Sequence, residues 1–189
     1  MRNFTIYTAE TAADAARPLL EGLARMIGFL PNVFAVMGST PSALTGFTEV
    51  TKRFGESSLS ATEREIVHIA TSVENGCAYC VAGHTAFAKA QGVDDAVIHA
   101  VRTGGKIADP KLASLHDFTR AMVGARGHLD PTEMERFRAS GYSEEQVLEV
   151  ILGIGEKTIS NLTSVSLGIP LDQAFQPFAW ELEERLDAA

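Results

Sequence analysis

The spacing of apolar residues predicts helices along the whole chain and shows no alternating strand pattern. Between residues 62 and 73, apolar side chains recur at helical intervals: Ile66, Ile69, Ala70, Val73. Asn75-Gly76 follows as a stop signal, and helical spacing resumes at Val81. Similar patterns cover residues 14–27 and 143–168. The sequence therefore predicts an all-α fold of about eight helices joined by short connections.

Capping signals indicate where several of these helices begin and end. A capping side chain followed by proline at the first helical position occurs three times: Thr40-Pro41, Asp109-Pro110, Asp130-Pro131. Ser143 is expected to open the longest helix and Gly168 to end it. Gly153 and Gly155 lie inside that helix, where glycine either weakens the helix or permits close packing.

Composition narrows the possible classes of protein. With 189 residues, 46% of them hydrophobic and 21% charged, the chain suits one globular domain over residues 1–189. The net charge of −8 disfavours nucleic acid and anionic membrane surfaces as partners. Neither a signal-peptide pattern at the N-terminus nor an apolar run of about 18 residues is present, so we expect a cytoplasmic protein with no membrane contact.

Cys77 and Cys80 are the only cysteines, and they lie at the predicted start of a helix. A Cys-x-x-Cys pair spans one helical turn, and the helix N-terminus stabilises a thiolate. His84 falls on the same helical face, one turn after Cys80, where it can accept a thiol proton. These features favour redox chemistry, and the helix dipole taken alone favours Cys77 as the thiol of lower pKa.

Other interpretations of these residues remain open at this stage. The cysteines could simply fill a core. They could also bind zinc together with His84 and Glu65, although the remaining histidines show no paired spacing for such a site: His68, His99, His116, His128. Glu65 fits a capping box, but the Ser60–Glu63 pair fits one equally well and would leave Glu65 free. Tyr79 is most simply a packing residue with its hydroxyl bonded locally.

The sequence resembles a known signature, which consists here of Glu65, eleven intervening residues and the run Cys77-Ala78-Tyr79-Cys80-x-x-x-His84. It is that of the alkyl hydroperoxidase D-like (AhpD-like) branch of the carboxymuconolactone decarboxylase superfamily. The segment 28–34, followed by Ser39-Thr40-Pro41, is also similar to the N-terminal region of its peroxidase-related members. The likeness thus covers most of the chain, with the redox motif in residues 59–92.

The resemblance implies an all-helical fold, a homo-oligomer and a thiol peroxidase that needs no cofactor. It implies that a hydroperoxide is attacked by Cys80, that Cys77 closes the disulfide, and that His84 and Glu65 handle the proton. Tyr79 stands where the best-known peroxidase of the group has a histidine. A protein or lipoyl-type thiol would be the reductant. Decarboxylase activity is the least expected family option, because that branch lacks the cysteine pair.

Two further functions remain as alternatives at this stage. One is a dithiol-disulfide oxidoreductase that acts on a partner protein, for which Cys77 would be the more exposed thiol. The other is a non-catalytic helical assembly module, with or without zinc.

Overall fold

The computed structural model describes residues 4–181, and no β-strand occurs in this part of the chain. Its nine α-helices are α1 Arg17–Ile27, α2 Asn32–Ala35, α3 Pro41–Gly55, α4 Ala61–Glu74, α5 Ala78–Ala90, α6 Asp95–Thr103, α7 Pro110–Gly124, α8 Pro131–Ala139 and α9 Glu144–Leu167. Two short 3-10 helices lie at Val36–Ser39 and Gln173–Phe178. The all-α prediction is confirmed, and the four-residue α2 accounts for the helix beyond the eight expected.

The predicted helix starts are found where the capping signals place them. α7 and α8 begin at proline, and the preceding Asp109 and Asp130 accept hydrogen bonds from the first free backbone N–H groups. α3 also begins at its proline, although the Thr40 side chain forms no capping bond. In α4 the capping box is formed by Ser60 and Glu63. Glu65 is therefore released from a capping role.

α4 is the central helix and packs against α5, α7 and α9. Ten of its residues are buried, including the polar side chains of Glu65 and His68. One hydrophobic core lies between helices α4, α6, α7 and α8 and contains Trp180. A second core joins α1, α2 and the start of α5 to the Gln173–Phe178 segment. These two clusters contain or contact Trp180 and the following phenylalanines: Phe29, Phe34, Phe47, Phe118, Phe137, Phe175, Phe178.

The longest helix, α9, has an unusual distribution of polarity. Its buried face carries mainly polar side chains: Glu156, Lys157, Ser160, Asn161, Ser164. Beyond its first turn, which carries the exposed Glu144 and Glu145, its exposed large side chains are apolar: Leu148, Ile151, Ile159, Leu162, Val165. Gly153 permits the close approach of α9 to α3, since a Cβ atom there would lie 2.5 Å from the Phe54 ring. The polar face of α9 is thereby brought against α4 and α5.

None of the helices within residues 4–181 has the length and apolarity to cross a lipid bilayer. The acidic sequence of residues 181–187 suggests a solvated helix face, but beyond Glu181 it lies outside the described residues.

Candidate active site

Cys77 and Cys80 lie at the N-terminus of α5 as two free thiols. Gly76 turns the chain with φ of 64°, a conformation that glycine adopts without strain. Cys77 is then the N-cap residue, and its Sγ accepts a hydrogen bond from the Cys80 N–H at 3.4 Å. Both thiols are buried, but Cys80 lines a cavity whereas Cys77 lies behind it with no exposed surface.

The cavity has a volume of about 420 Å³ and is bounded by α1, α3, α4, α5 and α9. Most of its wall is apolar, and its phenylalanine side chains are Phe34, Phe47, Phe54, Phe87, Phe175. Polar groups meet at one end, where Cys80, His84, Lys157 and Glu65 line the wall together. A small organic molecule could therefore reach the Cys80 thiol in a largely dehydrated environment.

Cys80 is placed among groups that stabilise its thiolate. The hydrogen bond with the Cys77 thiol has the largest effect on the pKa of Cys80 and lowers it, whereas burial raises this pKa. The Lys157 ammonium lowers this pKa further by its charge, as does a hydrogen bond with Ser160, whose Oγ lies 3.7 Å from Cys80 Sγ. The net result is a Cys80 pKa of about 6, so the thiolate predominates at neutral pH.

The two cysteines differ in the opposite sense to the helix-dipole prediction. The hydrogen bond to Cys80 and then burial raise the pKa of Cys77 far above that of a free thiol. Proximity to the helix N-terminus would lower the pKa of Cys77. The two thiols share one proton, however, and this sharing stabilises the negative charge on the sulfur of Cys80. The structure thus leaves Cys80 as the more acidic thiol and Cys77 as the protonated partner.

His84 forms a hydrogen bond with each ring nitrogen, and neither bond involves a cysteine. Its Nδ1 lies 2.8 Å from Glu65 Oε2, and its Nε2 lies 2.6 Å from Lys157 Nζ. Burial and then the Lys157 charge lower the pKa of His84 to about 4, so the ring is neutral at pH 7. Nδ1–H then donates to Glu65, and Nε2 accepts from Lys157. Lys157 occupies the free nitrogen of His84 in this arrangement, and the direct proton transfer from Cys80 to His84 expected from the sequence stays a prediction.

Glu65 is held in place by several donors. Its Oε1 accepts a hydrogen bond from Gln91 at 2.9 Å, while Oε2 faces His84 and lies 3.7 Å from His68 Nδ1. Burial raises the pKa of Glu65, but the charges of the two histidines and their hydrogen bonds outweigh it, and the net pKa is lowered. Glu65 is therefore a carboxylate that fixes the orientation of the His84 ring.

His68, which lacks a paired spacing in the sequence, joins the same cluster from α4. Its Nε2 lies 2.9 Å from Glu156 Oε2, and its ring centroid lies 4.1 Å from that of His84. Burial lowers the pKa of His68, yet the Glu156 carboxylate outweighs burial and raises it overall. Lys157 Nζ also lies 3.3 Å from Glu156 Oε1. Opposite charges on α4 and α9 thus neutralise each other inside the protein.

A metal ion could be held, in principle, by Glu65, His68 and His84. Within the described residues, the ligand atoms of these three side chains lie within 4.8 Å of one another. Neither cysteine belongs to the group, so the four zinc ligands considered from sequence do not converge. The Lys157 ammonium in contact with His84 opposes a second cation there. The cluster therefore fits an ion-paired proton network better than a divalent metal.

Tyr79 has a structural setting that the sequence did not predict. Its hydroxyl donates to Asp172 and accepts from the Val33 backbone N–H at 3.2 Å, so its partners lie far away in sequence rather than locally. Asp172 in turn accepts from the Asn32 N–H. Burial and then Asp172 raise the pKa of Tyr79, which keeps the phenol protonated. The side chain ties the start of α5 to α2 and also lines the cavity.

Four residues of the site were not predicted from the sequence: Lys157, Glu156, Ser160 and His68. Three of them lie on α9, where the signal was a row of polar residues along one face of an otherwise apolar helix. That row resembles an ordinary solvated face. The burial of this polar row follows only from the packing of α9 against α4 and α5.

Part of the chain is similar to a known family and to a bacterial protein. Residues 39–109 match the family model for the carboxymuconolactone decarboxylase family. This stretch contains Glu65, both cysteines and His84, but ends before α9. A Bacillus subtilis (strain 168) protein, the uncharacterized protein YdfG, is 24% identical over 130 residues, which are 68% of this chain and 88% of that protein.

Solved structures share the fold over most of the chain. The alkylhydroperoxidase AhpD core of a peroxidase-related protein from Ralstonia eutropha JMP134 has a TM-score of 0.82 at 22% identity, covering 92% of this chain and 93% of the other. A peroxidase-related protein from Silicibacter sp. TM1040 has a TM-score of 0.80 at 20% identity and 92% coverage of both chains. The debrominase Bmp8 has a TM-score of 0.75 at 20% identity, covering 90% and 91%. Residues 39–109 are therefore similar to the carboxymuconolactone decarboxylase family, and the chain as a whole shares the fold of the AhpD core structure.

Proposed function

We propose that this protein is a thiol-dependent peroxidase that reduces an organic hydroperoxide and serves in antioxidant defence. The observation that carries the proposal is the position of Cys80, an acidified thiol in the wall of an apolar cavity with a second thiol directly behind it. Such a site supplies a nucleophile, a resolving thiol and space for an organic group.

In the first step, the Cys80 thiolate attacks the distal oxygen of the hydroperoxide. The O–O bond breaks as the S–O bond forms, which leaves a Cys80 sulfenic acid and an alkoxide. The alkoxide takes a proton to become an alcohol, and the Lys157 ammonium is the acid in the cavity wall for this transfer. His84 and Glu65 orient that ammonium, and the two ring nitrogens of His84 bond to Glu65 and Lys157.

In the second step, the Cys77 sulfur attacks the Cys80 sulfenic acid. An S–S bond forms, the S–O bond breaks, and the Cys77 proton leaves with the hydroxyl group as water. One hydroperoxide and two thiols therefore give one alcohol, one water and one disulfide. An external dithiol, of the protein or lipoyl type that a reducing cytoplasm provides, would return two electrons and two protons.

A partner-protein disulfide is a weaker candidate substrate. The sequence alternative required Cys77 to be the more exposed thiol, but it has no exposed surface, and Cys80 has only 4%. An extended protein segment would have to enter the cavity to reach either sulfur. The observed burial therefore favours a small substrate.

Reductive dehalogenation of a small aromatic compound is the second candidate, favoured by the aromatic walls of the cavity. The structurally similar Bmp8 is named a debrominase, and one of its structures holds 2,3,4-tribromopyrrole. Here the Cys80 thiolate would take the halogen from carbon, and the carbon would gain a proton. Cys77 would then expel halide and close the same disulfide.

Stopped-flow measurements with cumene hydroperoxide, hydrogen peroxide and a bromopyrrole separate these candidates. We expect one equivalent of cumyl alcohol and loss of two thiols per chain, with cumene hydroperoxide reacting faster than hydrogen peroxide. Cys80→Ser should abolish the reaction, and Ser58→Ala, at an exposed position, is the matched control. Equal peroxide loss by wild type and Cys80→Ser would refute the peroxidase, and bromide release without peroxide turnover would favour the dehalogenase.

A further inference from the structure

We infer that the cavity takes an elongated hydroperoxide with a carboxylate at its far end, and that Arg64 binds this carboxylate at the cavity mouth while Cys80 meets the peroxide. The inference rests on the proposed peroxidase and names its substrate class, the hydroperoxides of fatty acids. The reaction is the one described above, and its product is the corresponding hydroxy acid.

The cavity follows one face of α5 along almost the whole helix. Its wall includes Cys80, His84, Phe87 and Gln91, which recur at intervals of three and four residues. Eleven residues separate Cys80 from Gln91, so this wall is about 16 Å long at about 1.5 Å per residue. A substrate that fills the cavity is therefore a chain rather than a compact molecule.

The two ends of the cavity differ in their access to solvent. Cys80, at the inner end, is buried. At the other end Gly55 and Gln91 are exposed, and Met26 is 74% exposed. Arg64 lies at this open end, because the adjacent Glu65 accepts a hydrogen bond from Gln91. A charged head group bound there would stay near water while the apolar chain enters the protein.

Arg64 is the arginine of the cavity wall, and its charge is not neutralised by the protein. Within residues 4–181, its guanidinium donates through Nη1 to the Leu59 carbonyl and forms no ion pair. The other N–H groups of the guanidinium are left for a ligand. Their planar, forked arrangement matches the two oxygen atoms of a carboxylate.

The acidic neighbours of Arg64 along α4 are committed to other partners. Glu63 accepts hydrogen bonds from the Ser60 N–H and the Tyr142 hydroxyl. Glu65 is held by the donors described above. Adjacent helical residues do not face each other, and the residues three or four positions from Arg64 are not acidic. The helix therefore supplies no carboxylate for this guanidinium, and an acidic ligand can supply it.

The middle of the cavity suits an acyl chain. Phe54 contacts the ring of His68, and Phe87 contacts the ring of His84, so aromatic side chains cover the polar cluster along the cavity. A neutral hydroperoxide would use this apolar wall and leave Arg64 without a partner. A fatty acid hydroperoxide uses both, because its chain is apolar and its far end is anionic.

A comparison of an acid with its ester tests the inference. The substrates are linoleic acid hydroperoxide, with the peroxide in the half of the chain remote from the carboxylate, and its methyl ester. For wild type we expect kcat/KM to be about tenfold higher or more for the acid. Arg64→Gln should remove this preference and Arg64→Lys should keep part of it. Arg53→Gln, which removes the same charge from an exposed position of α3, is the matched control and should keep the wild-type preference.

The possible results separate this inference from the proposed function. Reduction of both substrates at equal rates by wild type, or an equal preference in wild type and Arg64→Gln, would overturn the inference and leave the peroxidase standing. Reduction of neither substrate would overturn the peroxidase itself. Because each preference compares two substrates on the same protein, partial loss of folded Arg64→Gln does not alter it.

Binding of an unreactive acid tests Arg64 without any turnover. In a Cys77→Ser, Cys80→Ser chain, calorimetric titration compares decanoate with decanol, which has the same chain and no charge. We expect decanoate to bind about tenfold more tightly or more, with the difference lost in Arg64→Gln and retained in Arg53→Gln. Equal affinities, or binding of neither compound, would overturn the inference. A difference that persists in Arg64→Gln would assign the carboxylate to Lys157 and refute the role of Arg64.

Discussion

The Nζ of Lys157 lies 2.6 Å from Nε2 of His84, and this contact fixes the chemistry of both groups. Because Nδ1 donates to Glu65, Nε2 is the acceptor, and the ammonium is its donor. His84 is consequently an uncharged ring that holds Lys157 in position, and Lys157 is the cation that lowers the pKa of Cys80. We therefore propose that Glu65 and His84 influence the thiolate through Lys157 rather than by taking its proton.

Replacing Lys157 with methionine should raise the pKa of Cys80, because the nearby positive charge is lost while the thiol remains buried. We expect the midpoint of Cys80 alkylation to shift upward by about one unit or more, where one unit corresponds to about 1.4 kcal/mol. Iodoacetamide rates measured against pH in a Cys77→Ser background give this midpoint. Mass spectrometry assigns the modified sulfur.

Two further variants separate the effect of charge from the effect of packing in this experiment. Lys157→Arg retains a cation and should recover part of the shift, and Lys89→Met, which breaks only an exposed pair with Asp95, should show none. A Lys157→Met midpoint equal to that of the background would remove Lys157 from the activation of Cys80.

A second prediction concerns the hydrogen bond between the cysteines. The Cys77 thiol is the largest influence that lowers the pKa of Cys80, so its donor should matter even when no disulfide can form. Cys77→Ser keeps an O–H donor, whereas Cys77→Ala removes it. We expect a higher alkylation midpoint for Cys80 in Cys77→Ala than in Cys77→Ser.

Both Cys77 variants should accumulate the sulfenic acid of Cys80, because neither can close the disulfide. Mass spectrometry after one equivalent of hydroperoxide should show one added oxygen atom at Cys80. Identical midpoints in the two variants would mean that burial and Lys157 alone set the acidity of Cys80.

The sequence predicted the parts of the site that are local in the chain. Cys77, Cys80 and His84 share one helix, so a period of 3.6 residues was sufficient to bring them to one side. Helix starts at Pro110 and Pro131 were likewise predictable, because capping depends on adjacent residues.

The contribution of α9 was not predictable because its buried face is the polar one. An apolar stripe normally indicates the core, and here Leu148 and Leu162 lie outside while Lys157 and Glu156 lie inside. Lys157 pairs with the adjacent Glu156, but the partner of Glu156 on α4 is His68, 88 residues earlier in the chain. Pairings over that distance follow from packing and leave no periodic signal.

Tyr79→Phe should reduce stability without affecting the chemistry of Cys80. The change leaves the Val33 N–H without its acceptor and Asp172 without one donor, a cost of about 1–3 kcal/mol for buried groups. Urea unfolding measures the loss, and the alkylation midpoint of Cys80 should stay unchanged. Tyr142→Phe, which removes a similar bond to Glu63 away from the cavity, is the matched control.

The opposite pattern would change the role of Tyr79. A tenfold slower oxidation of Cys80 in Tyr79→Phe, at wild-type stability and with Tyr142→Phe unaffected, would make its hydroxyl a participant in proton transfer.

The last prediction concerns acid stability and His84. Burial and then Lys157 lower the pKa of the folded His84 to about 4 from an ordinary 6.5, so the unfolded chain binds a proton between these values that the folded chain does not. Stability should therefore fall as pH falls through this window, by about 3 kcal/mol in total. His84→Gln should remove this part of the slope.

Other titrating groups of the cluster act in different pH ranges. The pKa of Glu65 and of Glu156 is lowered from 4.5, so their contributions are lost only below that value. The pKa of His68 is raised from 6.5, so its contribution is complete below 6.5 and is lost as pH rises beyond it. Urea unfolding of wild type, His84→Gln and the exposed-site control His99→Gln between pH 4.5 and 6.5 isolates His84. Parallel stability curves for wild type and His84→Gln would mean that the ring is already charged in the folded protein, and Lys157 could not then be its hydrogen-bond donor.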